Sequence, residues 1–265
     1  MLERLLTFDN NMNIQNSSHN SLIIAHRGAS YDAPENTLTS FKAGLAQQAD
    51  GIECDIHLSA DNEVIIIHDA SLKRTTGHAG NVDDFTLAEL KRMDAGIWKD
   101  PQFKNEQLPT LQEVFTILPA DKKIQVEIKS GIKAIAPVRR IIEQQIISPS
   151  QIILMEFDLE TVIELRKTFP GIEVLWLVGF SHLHTHEKIH TIMKNAIDTS
   201  LEYKFDGVNI QNITELDTEY IRACTSHRLK CYCWTVNEPE RARYLIKSGI
   251  AGIATDRPGW IRERL

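Results

Sequence analysis

Short β-branched runs alternate with longer amphipathic stretches along most of the chain. Eight of the short runs have the length and composition of buried strands. They are Leu22–Ala25, Ile52–Ile56, Ile124–Ile128, Ile152–Leu154, Val174–Val178, Gly207–Ile210, Cys231–Val236 and Gly252–Ala254. Helical spacing of apolar residues marks Thr37–Gln48, Thr110–Leu118, Ile132–Ile146, Leu159–Thr168, Thr214–His227 and Pro239–Lys247. This alternation predicts an α/β fold, a closed (β/α)8 TIM barrel.

An open, doubly wound sheet is the alternative fold. The turn after the first strand reads HRGAS and lacks the GxGxxG pattern of dinucleotide-binding sheets, which favours the barrel. The interval after the second barrel strand is too long for a plain connection, because it holds a further strand, Val64–Ile67, and a short helix, Leu87–Met93. We therefore expect a small insertion subdomain over the barrel mouth, roughly residues 58–108.

The first 20 residues differ from the rest of the chain. Asn10–Asn20 is polar and without periodicity, so we expect residues 1–20 to be a flexible leader and residues 21–265 to form a single barrel domain. No run approaches the ~18 apolar residues of a spanning helix, and the four cysteines lack a CxxC spacing. These features predict a cytoplasmic protein with reduced cysteines and without stable membrane insertion.

The charge of the chain bears on its partners. Asp and Glu total 36 against 29 Lys and Arg, for a formal net charge of −7. No general excess of positive charge is available to neutralise phosphates, so we expect no nucleic-acid partner. We expect a small-molecule substrate, and a homo-oligomer remains open.

Two of the predicted strands carry acids on one face. Side chains alternate along a strand, so Glu53 and Asp55 point into the barrel, and Glu127 does so with Lys129 on the next barrel strand. Buried carboxylates need a compensating cation. Three of them without thiolate or imidazole form an oxygen-ligand site for one divalent cation, Mg²⁺ or Ca²⁺. The alternative is a metal-free network in which Arg27 and Lys129 neutralise the acids.

Two histidines are predicted at the same rim. His26 ends the first strand and is followed by Arg27, and His68 ends the inserted strand. Two imidazoles beside a divalent cation supply a general acid and a general base near neutral pH. Arg27 and Lys129 suit the non-bridging oxygens of a phosphate. The combination favours phosphoryl transfer.

These residues lie in motifs that resemble the glycerophosphodiester phosphodiesterase family. The motifs follow in order from residue 26 to residue 258 of the chain. They are HRGASYDAPENT, GIECDIHLSADNEVIIIHDASLKRTT, LPTLQEVF, VEIK, CWTVN and GIATDRP. The resemblance implies a barrel with an insertion after its second strand, a divalent cation on Glu53, Asp55 and Glu127, and catalytic His26 and His68.

The resemblance also implies a reaction. Glycerophosphodiesters such as glycerophosphocholine or glycerophosphoethanolamine would give glycerol 3-phosphate and an alcohol. The family is thought to use the glycerol 2-hydroxyl, which forms a cyclic phosphate that is then hydrolysed. A lysophospholipase D activity and a non-catalytic metabolite-binding barrel are the alternatives. The inserted segment has few long apolar runs, which favours a water-soluble substrate.

Five further residues are candidates for supporting roles. We expect Trp234 to line the pocket around the glycerol or alcohol group. Glu35 is expected to contact residues of the site and not the substrate itself. Asn36 is expected to cap the first helix. His57 follows Asp55 by two residues, so its side chain is expected on the same strand face as the acids, at the edge of the pocket. Glu156 adds an acid near the rim that bears on substrate choice or metal number. Asp256 either orients a site residue or caps the final turn.

A histidine-rich run follows the fifth of the eight predicted strands. His182, His184 and His186 alternate, and His190 lies one helical turn after His186. This pattern suggests a transition-metal site. We consider a surface loop without a metal the better interpretation, because the run has no acidic or Cys companions of standard spacing.

Overall fold

The computed structural model describes residues 21–180 and 186–265, so the expected leader and His182 and His184 lie outside the described residues. The strands are β1 Leu22–Ala25, β2 Gly51–Leu58, β3 Val64–Ile66, β4 Lys123–Ile128, β5 Ile152–Glu156, β6 Glu173–Val178, β7 Gly207–Gln211, β8 Lys230–Trp234 and β9 Gly252–Thr255. The α-helices are α1 Leu38–Ala46, α2 Lys73–Thr76, α3 Leu87–Leu90, α4 Leu111–Ile117, α5 Ile135–Ile142, α6 Leu159–Thr168, α7 His186–Tyr203, α8 Thr218–Ser226, α9 Pro239–Lys247 and α10 Pro258–Arg262.

Eight parallel strands close into a barrel, as the alternating pattern predicts. They follow the order β1, β2, β4, β5, β6, β7, β8, β9, and β9 pairs with β1 to close the ring. The strand β3 pairs antiparallel with β2, with Ile56 opposite Ile66, and lies outside the ring. The chain between β2 and β4 also carries α2, α3 and α4.

The apolar side chains separate into an outer shell and an inner layer. Outward-facing residues such as Ile52, Cys54 and Val126 are buried against the helices. Inside the ring, Ile153, Leu175 and other residues of β5, β6 and β8 form a small apolar cluster. The ring interior is therefore packed in its lower part. Polar side chains on the same inward faces, nearer the carboxyl ends of the strands, lie above this packing.

Three local predictions were wrong. The first helix is capped by Thr37, which forms a capping box with Ser40, and Asn36 adopts a left-handed φ of 57° outside the helix. The helix expected at Ile132–Ile146 begins as a 3₁₀ turn and is α-helical only over Ile135–Ile142. Thr214–His227 is likewise shortened to Thr218–Ser226.

The expected surface loop at the histidine run is also corrected in part. The helix α7 begins at His186, so His186 and His190 lie on a helix. Its buried positions, Met193, Ala196, Ile197 and Ser200, have helical spacing. Polar residues dominate the rest of this segment, which made its amphipathic pattern weak in the sequence.

Candidate active site

The three acids predicted as metal ligands converge inside the barrel. Glu53 and Asp55 come from β2 and Glu127 from β4, and the pairing of these strands places Asp55 opposite Glu127. One carboxylate oxygen from each acid lies within 4.8 Å of the others. All three side chains are buried. Their grouping follows from the alternation along two adjacent strands, which puts every second residue on the same wall.

Basic and amide groups surround Asp55. The Arg27 Nε and Lys129 Nζ atoms each lie 3.3 Å from an Asp55 oxygen, and the Asn36 amide donates to Asp55 over 2.8 Å. Burial alone would raise the pKa of Asp55, but Arg27 and Lys129 outweigh it and the pKa falls below the ordinary value. Asp55 is thus ionised and paired.

The two glutamates are less well compensated. Lys129 also contacts Glu127, and the Glu53 carboxylate accepts from the Arg27 backbone N–H at 2.9 Å. Burial and repulsion from Asp55 nevertheless raise the pKa of Glu127 to about 8, and burial with the neighbouring acids raises that of Glu53. Part of the metal-free network is therefore present, but Arg27 and Lys129 are two positive groups for three carboxyl groups. The raised pKa values of the two glutamates mean that their ionised forms need a further positive charge, which a hard divalent cation bound to the carboxylate oxygens would supply.

His26 is held by Asp256, a residue 230 positions away. Its Nδ1 lies 2.7 Å from the Asp256 carboxylate, which also accepts from Ser30 and Asn237. Burial would raise the pKa of Asp256, but these partners lower it to about 2. The His26 Nε2 atom is 4.0 Å from Glu53. Asp256 therefore holds one nitrogen of the ring while the other is directed toward the acids.

His68 has a matching arrangement. Its Nδ1 lies 2.7 Å from the Asp69 carboxylate, and Arg74 donates to both Asp69 oxygens, at 2.7 and 3.0 Å. Arg74 also forms two hydrogen bonds with Glu35, which in turn accepts from Arg27 at 3.0 Å. Burial lowers the pKa of His68. A continuous chain of charged groups thus connects this histidine with the acid cluster.

The turn after β1 brings His26 and Arg27 to this position. Gly28 has a φ of 81°, and a Cβ atom there would lie 2.4 Å from the Ser40 backbone carbon. Glycine is required for this close approach of the turn to α1. The Ser40 hydroxyl donates to the Arg27 carbonyl at 2.9 Å, which fixes the turn against the helix.

These groups surround a cavity of about 130 Å³. The predicted residues that line it are His26, Arg27, Glu53, His68, Glu127, Lys129 and Trp234. Phe157, which no sequence motif indicated, also lines it, and its ring meets the Trp234 ring edge-on with 5.7 Å between the ring centroids. Phe157 is half-exposed and marks the rim.

The remaining candidates lie beside the cavity. Glu35 belongs to the chain of charged groups that connects His68 with the acids. The His57 Nε2 atom pairs with the His68 carbonyl at 3.1 Å, so His57 supports that segment. Glu156 is buried and accepts from the backbone N–H of Phe157 at 2.7 Å; burial raises its pKa.

The sequence interpretation left several contacts unassigned. Asp69 and Arg74 lie in the same motif as His68, and Asn237 ends the CWTVN motif, so membership of these motifs could have indicated a role at the site. No sequence feature indicated the contact of Asn36 with Asp55, because a role as helix cap already explained Asn36. His186 contacts Glu215, an acidic companion that the sequence did not reveal. Among the described residues, only Glu53, Asp55 and Glu127 form a group of three candidate metal ligands.

The barrel, its acid cluster and its two histidines indicate an enzyme that cleaves phosphodiesters. Comparison with known proteins supports this class. Residues 26–260 match the model of the glycerophosphoryl diester phosphodiesterase family. A glycerophosphodiester phosphodiesterase of Caldanaerobacter subterraneus is 32% identical over 90% of this chain and 95% of its own. One from Bacillus subtilis is 29% identical over 89% and 84%.

Solved structures show the same likeness. A phosphodiesterase of Oleispira antarctica, in complex with the product sn-glycerol-3-phosphate, has a TM-score of 0.79 at 26% identity and covers 92% of this chain and 96% of its own. The enzyme of Thermotoga maritima has a TM-score of 0.74 at 26% identity, covering 92% and 98%. The chain belongs to the glycerophosphoryl diester phosphodiesterase family. It is a phosphoric diester hydrolase, as the motifs predicted.

Among the described residues, no helix is both long enough and apolar enough to cross a bilayer.

Proposed function

We propose that this enzyme hydrolyses glycerophosphodiesters, such as glycerophosphocholine or glycerophosphoethanolamine, to glycerol 3-phosphate and the free alcohol. The observation that carries this proposal is the pair of histidine–aspartate contacts at the cavity that the acid cluster lines. Each aspartate accepts from Nδ1 of its histidine, at 2.7 Å in both cases. The Nε2 atoms are then free for proton transfer with a substrate in the cavity.

Glu53, Asp55 and Glu127 would hold one divalent cation, Mg²⁺ or Ca²⁺. When bound, such an ion offsets the negative charge that builds on the phosphoryl oxygens in the transition state. The chain supplies three buried carboxyl groups within 4.8 Å of one another, and the pairing of β2 with β4 fixes their relative positions.

The histidines carry the proton transfers. One imidazole takes the proton of the attacking hydroxyl, from water or from the glycerol 2-hydroxyl, as its oxygen bonds to phosphorus. The other gives a proton to the alcohol oxygen as the bond between that oxygen and phosphorus breaks. If the 2-hydroxyl attacks, this step gives a cyclic phosphate, and a water molecule then adds to phosphorus as the bond from phosphorus to the 2-oxygen breaks. In that second step the histidines exchange roles, and the product is glycerol 3-phosphate. Arg27 and Lys129 lie at the same cavity and hold the non-bridging oxygens.

The aromatic rim would contact the organic groups of the substrate. Trp234 and Phe157 line the cavity together, and the Lys129 ammonium is 5.9 Å from the Phe157 ring centroid. Glu156, next to this rim, supplies a carboxylate that bears on the choice of alcohol. The small cavity favours a water-soluble diester over a lysophospholipid.

The test is release of glycerol 3-phosphate from glycerophosphocholine by the purified chain, with Mg²⁺ or Ca²⁺ and with EDTA. We expect turnover that requires the divalent ion and is lost in the His26→Ala, His68→Ala double variant. Turnover by that variant at the wild-type rate would refute the roles of the histidines. A folded wild type that binds the diester without cleaving it under either ion would indicate a binding barrel instead.

A further inference from the structure

Two buried amide side chains in the cavity have polar atoms without partners. Gln125 and Asn209 are each only 1% exposed and line the cavity. Among the described residues, the Gln125 Nε2 and Oε1 atoms and the Asn209 Oδ1 atom have no hydrogen-bond partner. Asn209 makes one weak contact, from Nδ2 to the Met155 sulfur at 3.3 Å. Buried amides in folded proteins are nearly always paired, so these atoms are suited to a bound group.

The two amides lie on different walls of the cavity. Gln125 precedes Glu127 by two residues on β4 and shares its inward face, opposite Glu53 of β2. Asn209 lies on β7, which β5 and β6 separate from β4 around the ring. Because Gln125 is opposite Glu53, a group bound between the two amides would lie beside the acid cluster.

Apolar side chains accompany the two amides. Met155, Leu177 and Ala254 line the same cavity as Gln125 and Asn209. An uncharged hydroxyl group can donate to one amide oxygen and accept from an amide N–H, and its carbon can pack against Met155 and Leu177. The two amides carry no net charge, so they themselves offer no opposite charge to a phosphate or to a quaternary ammonium group.

We propose that Gln125 and Asn209 form a subsite for the primary hydroxymethyl group of the glycerol moiety. This inference rests on the proposed function and deepens it. Glycerol binds inward and the alcohol moiety points outward, past Phe157. The pair of amides then makes the enzyme selective for glycerol on one side of the phosphodiester, while the exposed rim leaves the alcohol side less restricted.

A pair of substrates tests the subsite. Glycerophosphocholine is compared with its analogue that lacks the primary hydroxyl, propane-1,2-diol phosphocholine, which retains the 2-hydroxyl. We expect wild-type kcat/KM to favour the glycerol substrate by about 10- to 100-fold, the effect of one hydroxyl that pairs with buried amides. In Gln125→Met and in Asn209→Leu the ratio of the two kcat/KM values falls toward one.

Gln151→Met is the matched control. Gln151 is a buried glutamine outside the cavity, and its Nε2 donates to the carbonyls of Pro119 and Lys122 at 2.9 Å. This variant should lower Tm and keep the wild-type substrate ratio. Gln125→Met should keep or raise Tm, because it removes an amide without partners and preserves side-chain length.

The outcomes separate the two proposals. A wild-type ratio that persists in active Gln125→Met and Asn209→Leu enzymes overturns the subsite and leaves the proposed function intact. Absence of wild-type turnover of both substrates, with either divalent ion present, overturns the proposed function itself. If one variant fails to fold, the other still decides the subsite, because each amide belongs to a different strand.

Discussion

Replacing Asp256 with asparagine tests how the structure orients His26. One Asp256 oxygen accepts from His26 Nδ1 at 2.7 Å and from the Ser30 hydroxyl at 2.9 Å, and the other accepts from the Asn237 amide at 2.6 Å. A carboxylate can accept on both sides, but an asparagine has one oxygen and one NH₂ group. The variant must therefore lose one side of this arrangement.

Neither orientation of the new amide restores the contacts. If its oxygen faces His26, its NH₂ group meets the Asn237 NH₂ group, and Asn237 is held because its oxygen accepts from Thr255 and from the backbone of residue 256, both at 2.9 Å. If its NH₂ group faces His26, Nδ1 must become the acceptor and the ring proton moves to Nε2. The second orientation yields the wrong tautomer for a base.

The size of the effect follows from the lost contact. A hydrogen bond to a charged group contributes about 1.5–3 kcal/mol, which corresponds to a loss in kcat of about 10- to 150-fold. For a chain of this length, about 1–2 kcal/mol lowers Tm by about 2–8 °C. The assay is glycerophosphocholine turnover with a divalent ion, together with thermal unfolding.

Asp50→Asn provides the control. The Asp50 carboxylate accepts from Ile23 N–H at 2.9 Å and from Arg262 at 2.6 Å, at the opposite end of the barrel from the cavity. This variant should lose stability and retain kcat. Equal loss of kcat in the two variants, or wild-type kcat in Asp256→Asn, would refute the orienting role.

The pH dependence gives an independent check on Asp256. Because its pKa in the folded state is lowered to about 2 from 3.8, its contribution to stability is complete above about pH 4 and is lost as the pH falls toward 2. The Tm difference between wild type and Asp256→Asn should therefore shrink below pH 4. A difference that stays constant down to pH 2 would contradict the ionised contact.

Three further predictions concern the acids and Arg74. The pKa of Glu127 is raised to about 8 from 4.5, so the metal-free protein should lose stability as the pH rises between these values. Mg²⁺ should therefore raise Tm more at pH 8 than at pH 6, as measured by scanning fluorimetry. Equal increases in Tm at the two pH values would contradict this. Glu127→Gln should abolish most of the Mg²⁺-dependent increase in Tm, while the Tm in EDTA stays unchanged or becomes higher. A lower Tm in EDTA with unchanged metal affinity, measured by calorimetry, would support the metal-free network instead. Arg74→Lys removes the paired hydrogen bonds that the guanidinium group donates to both oxygens of Asp69 and of Glu35, so kcat should fall about tenfold. The control is Arg139→Lys, on the exposed side of α5, which should keep the wild-type kcat.

Much of the barrel was predictable because its signals are local and repeated. Inward and outward positions along β2 and β4 follow from the period of two, so the grouping of Glu53, Asp55 and Glu127 needed only the assumption that these strands are neighbours. The helix α7 was missed because its apolar stripe, which includes Met193 and Ile197, is diluted by polar residues.

Local reasoning failed where a side chain has two plausible partners. Asn36 is well placed to cap α1, yet Thr37 caps it, and Asn36 instead donates to Asp55. A cap is a local contact, whereas the bond to Asp55 depends on how the turn after β1 packs against β2. Sequence patterns cannot rank these two possibilities, because their energies differ only after the strands have paired.

By itself, the sequence determined the eight-fold repeat, the faces that carry acids and the motifs that place two histidines at strand ends. Only the tertiary structure decided that Asp256 holds His26, that Arg74 connects Asp69 with Glu35, and that Gln125 and Asn209 line the same cavity. The physical reason is the range of the interactions. Alternation and helical spacing act over a few residues, whereas a hydrogen bond between the first and last strands of the barrel exists only once the ring has closed.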